Sequence, residues 1–181
     1  LFVSQRVTHE RKGMKFFIEA IERMVAEHPE VKADTVIAIL GGKAEEVASQ
    51  LPLPCFPLGY ISDERRIVSV YNSADVFVLP SLEDNLPNTI MEALACGVPC
   101  VGFQVGGIPE MIDHQCNGYV AAPGNSADLA AGMHWVLREA DYASLSQRAV
   151  QKVLSAYSQR AVARAYIEVY NQALAFKHYH L

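Results

Sequence analysis

The sequence predicts an α/β fold in which helices cover both faces of a parallel β-sheet. Short apolar runs alternate with longer amphipathic segments over most of the chain. Several of these runs are rich in β-branched residues and lack polar alternation, as in Thr35–Leu40 and Val76–Leu79, which is typical of strands buried on both faces. Glycine pairs or Pro-Ser follow the runs and end them. Regular alternation of strand and helix favours a parallel sheet.

The predicted strands are short apolar segments that end at glycine, proline or polar residues. Gly41-Gly42 ends the second strand, Pro80-Ser81 ends the fourth, and Gly106-Gly107 follows the fifth. In chain order the strands are Leu1–Val7, Thr35–Leu40, Cys55–Leu58, Val76–Leu79, Val98–Phe103 and Gly118–Ala121.

The predicted helices show apolar residues at helical spacing or begin at residues that favour a first turn. Ser62 is the predicted N-cap of the third helix, and Asn85 or Asn88 that of the fourth, with Pro87 in its first turn. The helices are Met14–Ala26, Ala44–Gln50, Asp63–Tyr71, a helix from Pro87-Asn88 to Gly97, a short helix from Pro109, and then Ser126–Leu137, Tyr142–Leu154 and Gln159–Phe176.

Composition limits the class of protein. The 181 residues are enough for one domain with a sizeable core, so we expect residues 1–181 to form a single domain. A net charge of −5 argues against general nucleic-acid binding. No membrane-spanning run and no signal peptide occur, which predicts a cytoplasmic protein. The chain starts at Leu1 inside a predicted strand, so we expect it to be a piece of a longer protein.

A ligand site is expected where the strands end, because ligands of parallel sheets bind outside the carboxyl ends of the strands. Neither a dinucleotide fingerprint nor a phosphate-binding P-loop motif is present, and the absence of Asp-x-Asp leaves no obvious metal site for a diphosphate. The segments that meet at this edge are Arg6–Lys12, Gly41-Gly42-Lys43, Gly59-Tyr60-Ile61, Ser81–Thr89 and Gln104–Glu110.

The edge combines features that suit an anionic sugar ligand. The amides at the start of the fourth helix can face an anion, and Arg6, Arg11 and Lys12 can clamp a diphosphate. Glu92 is the lone charge in an apolar helix, which predicts a partner for it and suits it to accept sugar hydroxyls. Simple capping, a solvated basic loop and ordinary glycine turns are the alternative interpretations.

Several motifs, taken together and in order, resemble the C-terminal domain of the group 1 glycosyltransferases (family 4, GT-B fold, retaining). The resemblance covers nearly the whole chain. Its pieces are Arg11-Lys12-Gly13, Gly59-Tyr60, Tyr71–Ser81, Glu92–Pro99, Gly106–Glu110 and Asn117–Val120. It implies a Rossmann-like domain that forms one half of a GT-B fold and binds the nucleotide-sugar donor, with the N-terminal acceptor domain absent from this chain.

The resemblance also implies roles for individual residues. The second acid of the family's Glu-x7-Glu pattern falls on Glu92, which is expected to bind the donor ribose, and the first falls on Asp84, a shorter acid expected to face the donor sugar. The phosphate-binding cations fall on Arg6 and Lys12, with Arg11 as a competitor. Gly59-Tyr60-Ile61 is expected near the nucleobase. Further donor contacts are expected from Gly41, Gly42, Asn85, Leu86, Pro87, Asn88 and Thr89, where Asn85–Asn88 replaces the family's glycine-containing stretch.

The implied activity is retaining transfer of a hexosyl-type sugar from a nucleotide diphosphate sugar, without metal or cofactor, to a sugar or lipid-linked acceptor held by the missing domain. Contact of the full-length protein with a membrane surface is left open. A sugar-nucleotide epimerase, a phosphorylase and a non-catalytic nucleotide-binding domain are alternatives with a similar donor site. A signalling receiver is disfavoured, because Arg6-Val7-Thr8-His9 supplies no acids at the end of the first strand.

Overall fold

Parallel strands form the centre of the structure, a computed structural model that describes residues 1–178 and the side chains of residues 1–175. β1 pairs with β2 and β2 with β3 in one parallel sheet, while β4 pairs with β5 and β5 with β6 in another. The strands are β1 (Phe2–Arg6), β2 (Ile37–Gly42), β3 (Cys55–Gly59), β4 (Phe77–Leu79), β5 (Cys100–Phe103) and β6 (Gly118–Ala121).

Leu1 joins the two sheets edge to edge. Its nitrogen donates to the carbonyl of Val76 at 2.8 Å, and its carbonyl accepts from the nitrogen of Val78 at 2.9 Å. This alternation is the parallel hydrogen-bond pattern, so β1 lies beside β4. The strand order across both sheets is therefore β3-β2-β1-β4-β5-β6, the doubly wound arrangement.

Helices cover both faces, as the sequence predicts. They are α1 (Met14–Glu27), α2 (Ala44–Ala48), α3 (Glu64–Asn72), α4 (Asn88–Ala95), α5 (Ile108–Met111), α6 (Ser126–His134), α7 (Tyr142–Lys152) and α8 (Gln159–His178). Short 3-10 turns span Glu10–Lys12 and Pro29–Ala33, and π-helical turns extend α6 through Glu139 and α7 through Tyr157.

Two apolar cores lie on opposite faces of the strands. Val78 of β4 faces a core built with α1, α2 and α6, whereas its neighbours Phe77 and Leu79 face a core built with α3, α4, α5 and α7. All three side chains are almost completely buried. Because successive strand residues point to opposite faces, burial on both sides explains the continuous apolar run.

The chain leaves β1 and β4 toward different faces. α1, which follows β1, packs in the first core, and α4, which follows β4, packs in the second. Since β1 and β4 are neighbours, the two connections pass to opposite faces of the sheet from adjacent strand ends at the carboxyl edge. This position is the topological switch point, where doubly wound sheets bind ligands.

The structure adjusts several predicted boundaries for local reasons. β5 begins at Cys100 rather than Val98, because Pro99 has no N–H to give to a strand ladder. α3 begins at Glu64, and its N-cap is Asp63 rather than Ser62, since the Asp63 carboxylate accepts from the nitrogens of Arg65 and Arg66. The prediction of Ser62 as the cap was wrong by one position.

The final helix, α8, has many apolar side chains in solvent. Tyr166, Val169 and Tyr170 are each about three-fifths exposed, at 60%, 59% and 62%. No helix among residues 1–178 combines the length and apolar character needed to cross a membrane.

Candidate donor site at the carboxyl edge

The loops after β1 and β4 touch each other at this switch point. The Nζ of Lys12 donates to Oδ2 of Asp84 at 2.6 Å, and the nitrogen of Leu82 donates to the carbonyl of Arg11 at 2.8 Å. The prediction that segments Arg6–Lys12 and Ser81–Thr89 share one edge of the sheet is thus confirmed.

Gly13 makes this close approach between the loops possible. Its φ is +71°, and a Cβ at this position would lie 1.8 Å from the carbonyl oxygen of Pro80. Only glycine combines this left-handed conformation with so short a distance to the neighbouring backbone. Gly13 therefore sets how far Lys12 reaches toward the loop that contains Asp84.

The glycine pair Gly106-Gly107 holds the loop that contains Asp84 from its other side. The nitrogen of Gly107 donates to the carbonyl of Asn85 at 2.6 Å. A Cβ on Gly106 would lie 1.8 Å from the carbonyl oxygen of Asp84. The loop after β5 thus buttresses the backbone of Asp84 and Asn85, and the glycines serve close backbone packing there.

The first turn of α4 has no side-chain cap. Pro87 occupies the N-cap position, so the prediction that Asn85 or Asn88 caps the helix was wrong. The nitrogen of Ile90 donates to the carbonyl of Pro87 at 3.1 Å, whereas the nitrogens of Asn88 and Thr89 donate to no described residue. These two amides and the positive end of the helix dipole suit an anion. Around this turn Asn85, Leu86 and Asn88 are exposed, Thr89 is half-buried and Pro87 is buried.

Lys12 and Asp84 form a sheltered ion pair beside this helix start. Their side chains are 20% and 16% exposed. A charge-assisted hydrogen bond between partly buried groups is stronger than an exposed one, because solvent screens it less. The pair places one cation and one acid at a fixed position at the switch point.

The other predicted cations are less closely held. Arg6 and Arg11 are exposed, and neither forms an ion pair among residues 1–175. Arg6 ends β1 in register with Gly42 of β2. Lys12 is therefore the predicted cation whose side chain bonds to the loop before α4, whereas Arg11 contacts that loop through its backbone carbonyl.

Gly41 and the loop after β3 lie to one side of the switch point between β1 and β4. A Cβ on Gly41 would be 1.7 Å from the carbonyl oxygen of Ser4, so this glycine lets β1 and the end of β2 approach closely. Tyr60 is 75% exposed and Ile61 is half-buried. Because they follow β3, they lie two strands away from β1.

Glu92 lies on α4 and is exposed, contrary to the expectation of a carboxylate enclosed by apolar residues. It does have the partner that the sequence analysis required, since its Oε2 accepts from the hydroxyl of Tyr71 at 2.8 Å. Tyr71 was not identified as a site residue. Its only sequence signal is a tyrosine on the apolar side of the helix before β4.

One cluster of possible metal ligands lies elsewhere. Donor atoms of His28, Glu30 and His134 are within 4.8 Å of one another, at the far ends of α1 and α6. The two imidazoles stack with centroids 3.6 Å apart and 16° between their planes. Imidazole nitrogens bind metals in the ring plane, and nearly parallel planes do not converge. Shared ligation would therefore require one ring to turn.

Proteins of similar sequence are glycosyltransferases. The family model for group 1 glycosyltransferases matches residues 1–139. An uncharacterized glycosyltransferase of Methanocaldococcus jannaschii is 31% identical over 180 residues, covering 96% of this chain and 45% of that protein. A D-inositol 3-phosphate glycosyltransferase of Saccharomonospora viridis is 26% identical, covering 91% of this chain and 41% of that protein.

Solved structures share the fold. Sucrose-phosphate synthase of Thermosynechococcus elongatus superimposes with a TM-score of 0.76 at 22% identity, covering 96% of this chain and 45% of that one. Anabaena HepE, solved in complex with UDP, gives 0.73 at 20% identity, covering 94% and 48%. The chain thus spans about half the length of these relatives. Its match to the family model over most of its length shows that the chain belongs to the group 1 glycosyltransferases.

Proposed function

We propose that this chain is the donor-binding half of a glycosyltransferase that moves a sugar from a nucleotide diphosphate sugar to an acceptor. The observation that carries the proposal is the bond between Lys12 and Asp84 at the switch point, on the loop that leads into the uncapped start of α4. A diphosphate there would receive a cationic donor from one side and helix amides from the other.

In this proposal the remaining edge residues surround the diphosphate. Glu92 accepts the ribose hydroxyls, Asp84 faces the donor sugar, and Tyr60 and Ile61 lie toward the nucleobase. Arg6 and Arg11 are exposed, and either side chain would have to swing toward the ligand to assist Lys12. Protein cations and helix amides, rather than a bound metal, neutralise the leaving diphosphate.

The same proposal includes the stereochemistry of the transfer and the place where the acceptor binds. Transfer would retain the anomeric configuration of a hexosyl-type donor, with charge on the departing diphosphate stabilised by Lys12 and the amides of α4. The acceptor, a sugar or a lipid-linked sugar, would bind to a part of the protein outside residues 1–181. This division fits a chain that covers about half the length of its relatives.

The chain is expected to bind a nucleoside diphosphate but to transfer no sugar by itself. Thermal-shift measurements with UDP-, GDP- and ADP-sugars should raise Tm for one base, because a ligand that binds only the folded state stabilises it. Calorimetry with the best ligand should give the same affinity with and without EDTA. Without a bound acceptor the large proximity contribution to catalysis is missing.

Each other outcome has a distinct meaning. No stabilisation by any nucleotide sugar would contradict the donor-binding proposal. Conversion of the donor to an epimer without an acceptor would favour an epimerase. Robust glycosyl transfer by residues 1–181 would show that the catalytic machinery has been misplaced, whereas loss of binding in EDTA would show that a metal is needed.

Replacing Glu92 with glutamine is expected to weaken nucleotide-sugar binding more than the same change at Glu83. A lost hydrogen bond to a charged acceptor costs about 1.5–3 kcal/mol, or roughly 10- to 100-fold in affinity. Glu83 is the matched control, because it is exposed on the loop before α4 and lies out of register with the family motif. Titration calorimetry that shows equal losses would mean that the wrong carboxylate has been assigned to the ribose.

A further inference from the structure

Tyr71 is almost completely enclosed between α3 and β4. Its side chain is 1% exposed, and its ring packs edge-on against Phe77 with centroids 5.9 Å apart. A ring held this tightly keeps its hydroxyl in one place. The single partner of that hydroxyl among the described residues is Oε2 of Glu92, 2.8 Å away on α4.

The direction of this hydrogen bond is fixed by the surroundings. Burial, and next the Glu92 carboxylate, raise the pKa of the Tyr71 hydroxyl well above its usual value. The phenol therefore stays protonated and donates, and the carboxylate accepts. Tyr71 thus ties down one oxygen of Glu92 from the interior of the protein.

The other oxygen of Glu92 is left for a ligand. Glu92 is exposed and forms no ion pair within residues 1–175, and its Oε1 accepts no hydrogen bond from any described residue. A free glutamate side chain samples many rotamers, and binding must restrict them. A carboxylate already anchored through Oε2 loses less freedom when Oε1 accepts a hydroxyl.

We infer that Tyr71 is a positioning residue, which holds Glu92 so that Oε1 can accept the vicinal hydroxyls of the donor ribose. The inference rests on the proposed donor-binding function and adds a residue to it. Tyr71 touches no ligand itself and acts through Glu92. The recognised chemistry is the 2′,3′-diol of a nucleoside diphosphate, whatever its base.

The test compares Tyr71→Phe with the wild-type chain on two ligands, the best-bound nucleoside diphosphate and its 2′,3′-dideoxy analogue. Phenylalanine fills the same buried space and removes only the hydroxyl. We expect the affinity of the variant for the ribonucleotide to fall about tenfold. Affinity for the dideoxy analogue should not change, because this ligand has no ribose hydroxyl that could donate a hydrogen bond to Glu92.

Tyr119→Phe is the matched control. The Tyr119 hydroxyl donates to Oδ1 of Asp128, also at 2.8 Å, in a tyrosine–carboxylate pair between β6 and α6. Its loss should lower thermal stability by an amount similar to that for Tyr71→Phe while leaving both affinities at wild-type values. The control separates loss of a partly buried hydrogen bond from loss of ligand positioning.

The double variant Tyr71→Phe/Glu92→Gln tests whether Tyr71 affects ligand affinity through Glu92. If Tyr71 acts through Glu92, the double variant should bind the ribonucleotide no more weakly than Glu92→Gln alone. Additive losses would overturn the inference, as would equal losses for the ribonucleotide and the dideoxy analogue. Failure of the wild-type chain to bind any nucleotide would overturn the proposed function and this inference together, and so is distinct from the other two results.

Discussion

Replacing Gly13 with alanine is expected to lower the free energy of unfolding by about 2–5 kcal/mol. The residue has a φ of +71°, which costs an L side chain about 1–2 kcal/mol. The new Cβ would also sit 1.8 Å from the carbonyl oxygen of Pro80, a distance at which backbone must move. Chemical denaturation monitored by circular dichroism measures the loss.

Gly59→Ala provides the matched control for that experiment. Gly59 has nearly the same φ, +65°, but a Cβ there would have no heavy atom within 4 Å. The control should therefore lose only the conformational part, about 1–2 kcal/mol. Equal losses for the two variants would show that the loops after β1 and β4 are not in the close contact described above.

Much of the fold could be predicted because its signals are local. The buried run Val76–Leu79 lies between Ser73-Ala74-Asp75 and Pro80-Ser81, so its type and limits follow from residues next to it. Parallel strands place their carboxyl ends at one edge, and this rule predicts that the loops after β1 and β4 share that edge. The contact between Lys12 and Asp84, 72 residues apart, requires in addition that β1 lies beside β4, which the sequence pattern does not specify.

Other features depend on packing that the sequence pattern does not encode. The bond from Tyr71 to Glu92 requires a particular placement of α3 against α4, and a tyrosine in an apolar helix face is ordinarily a core residue. Gly41 was expected at the ligand, and the structure adds a packing role, because a Cβ there would meet the carbonyl oxygen of Ser4 on the neighbouring strand. A glycine pair at a strand end fits both uses, and the packing role depends on the register of β1 on β2, which the sequence pattern does not give.

The start of α4 shows how a local rule can fail at a candidate site. Asn85 and Asn88 are good capping residues by type, but the N-cap position falls on Pro87, which has no side-chain acceptor. Natural chains break such local rules most often at functional sites. The missing cap leaves the helix amides to an anion and agrees with the proposed position of the diphosphate.

Lys12→Ala should have a large effect on ligand binding. Its Nζ lies where the two loops meet. If it binds the diphosphate as proposed, removing it takes away a charge-assisted hydrogen bond to phosphate. We expect affinity for the nucleoside diphosphate to fall about 10- to 100-fold, while affinity for the free nucleoside stays constant. Titration calorimetry on both ligands measures the difference.

Two further variants separate the causes of that loss. Lys12→Ala leaves the Asp84 carboxylate, 16% exposed, without its cation and near the proposed position of the diphosphate. Lys12→Ala/Asp84→Asn removes this repulsion, so it should recover part of the lost affinity but not all of it. Lys15→Ala removes an exposed lysine paired with Glu19 on α1 and should bind as the wild type does.

If Lys15→Ala matched Lys12→Ala, or if nucleoside and diphosphate lost affinity equally, Lys12 would be contributing only to the general charge of the surface. A loss confined to the diphosphate, and partly restored by Asp84→Asn, is the result that a phosphate-binding lysine held by Asp84 requires.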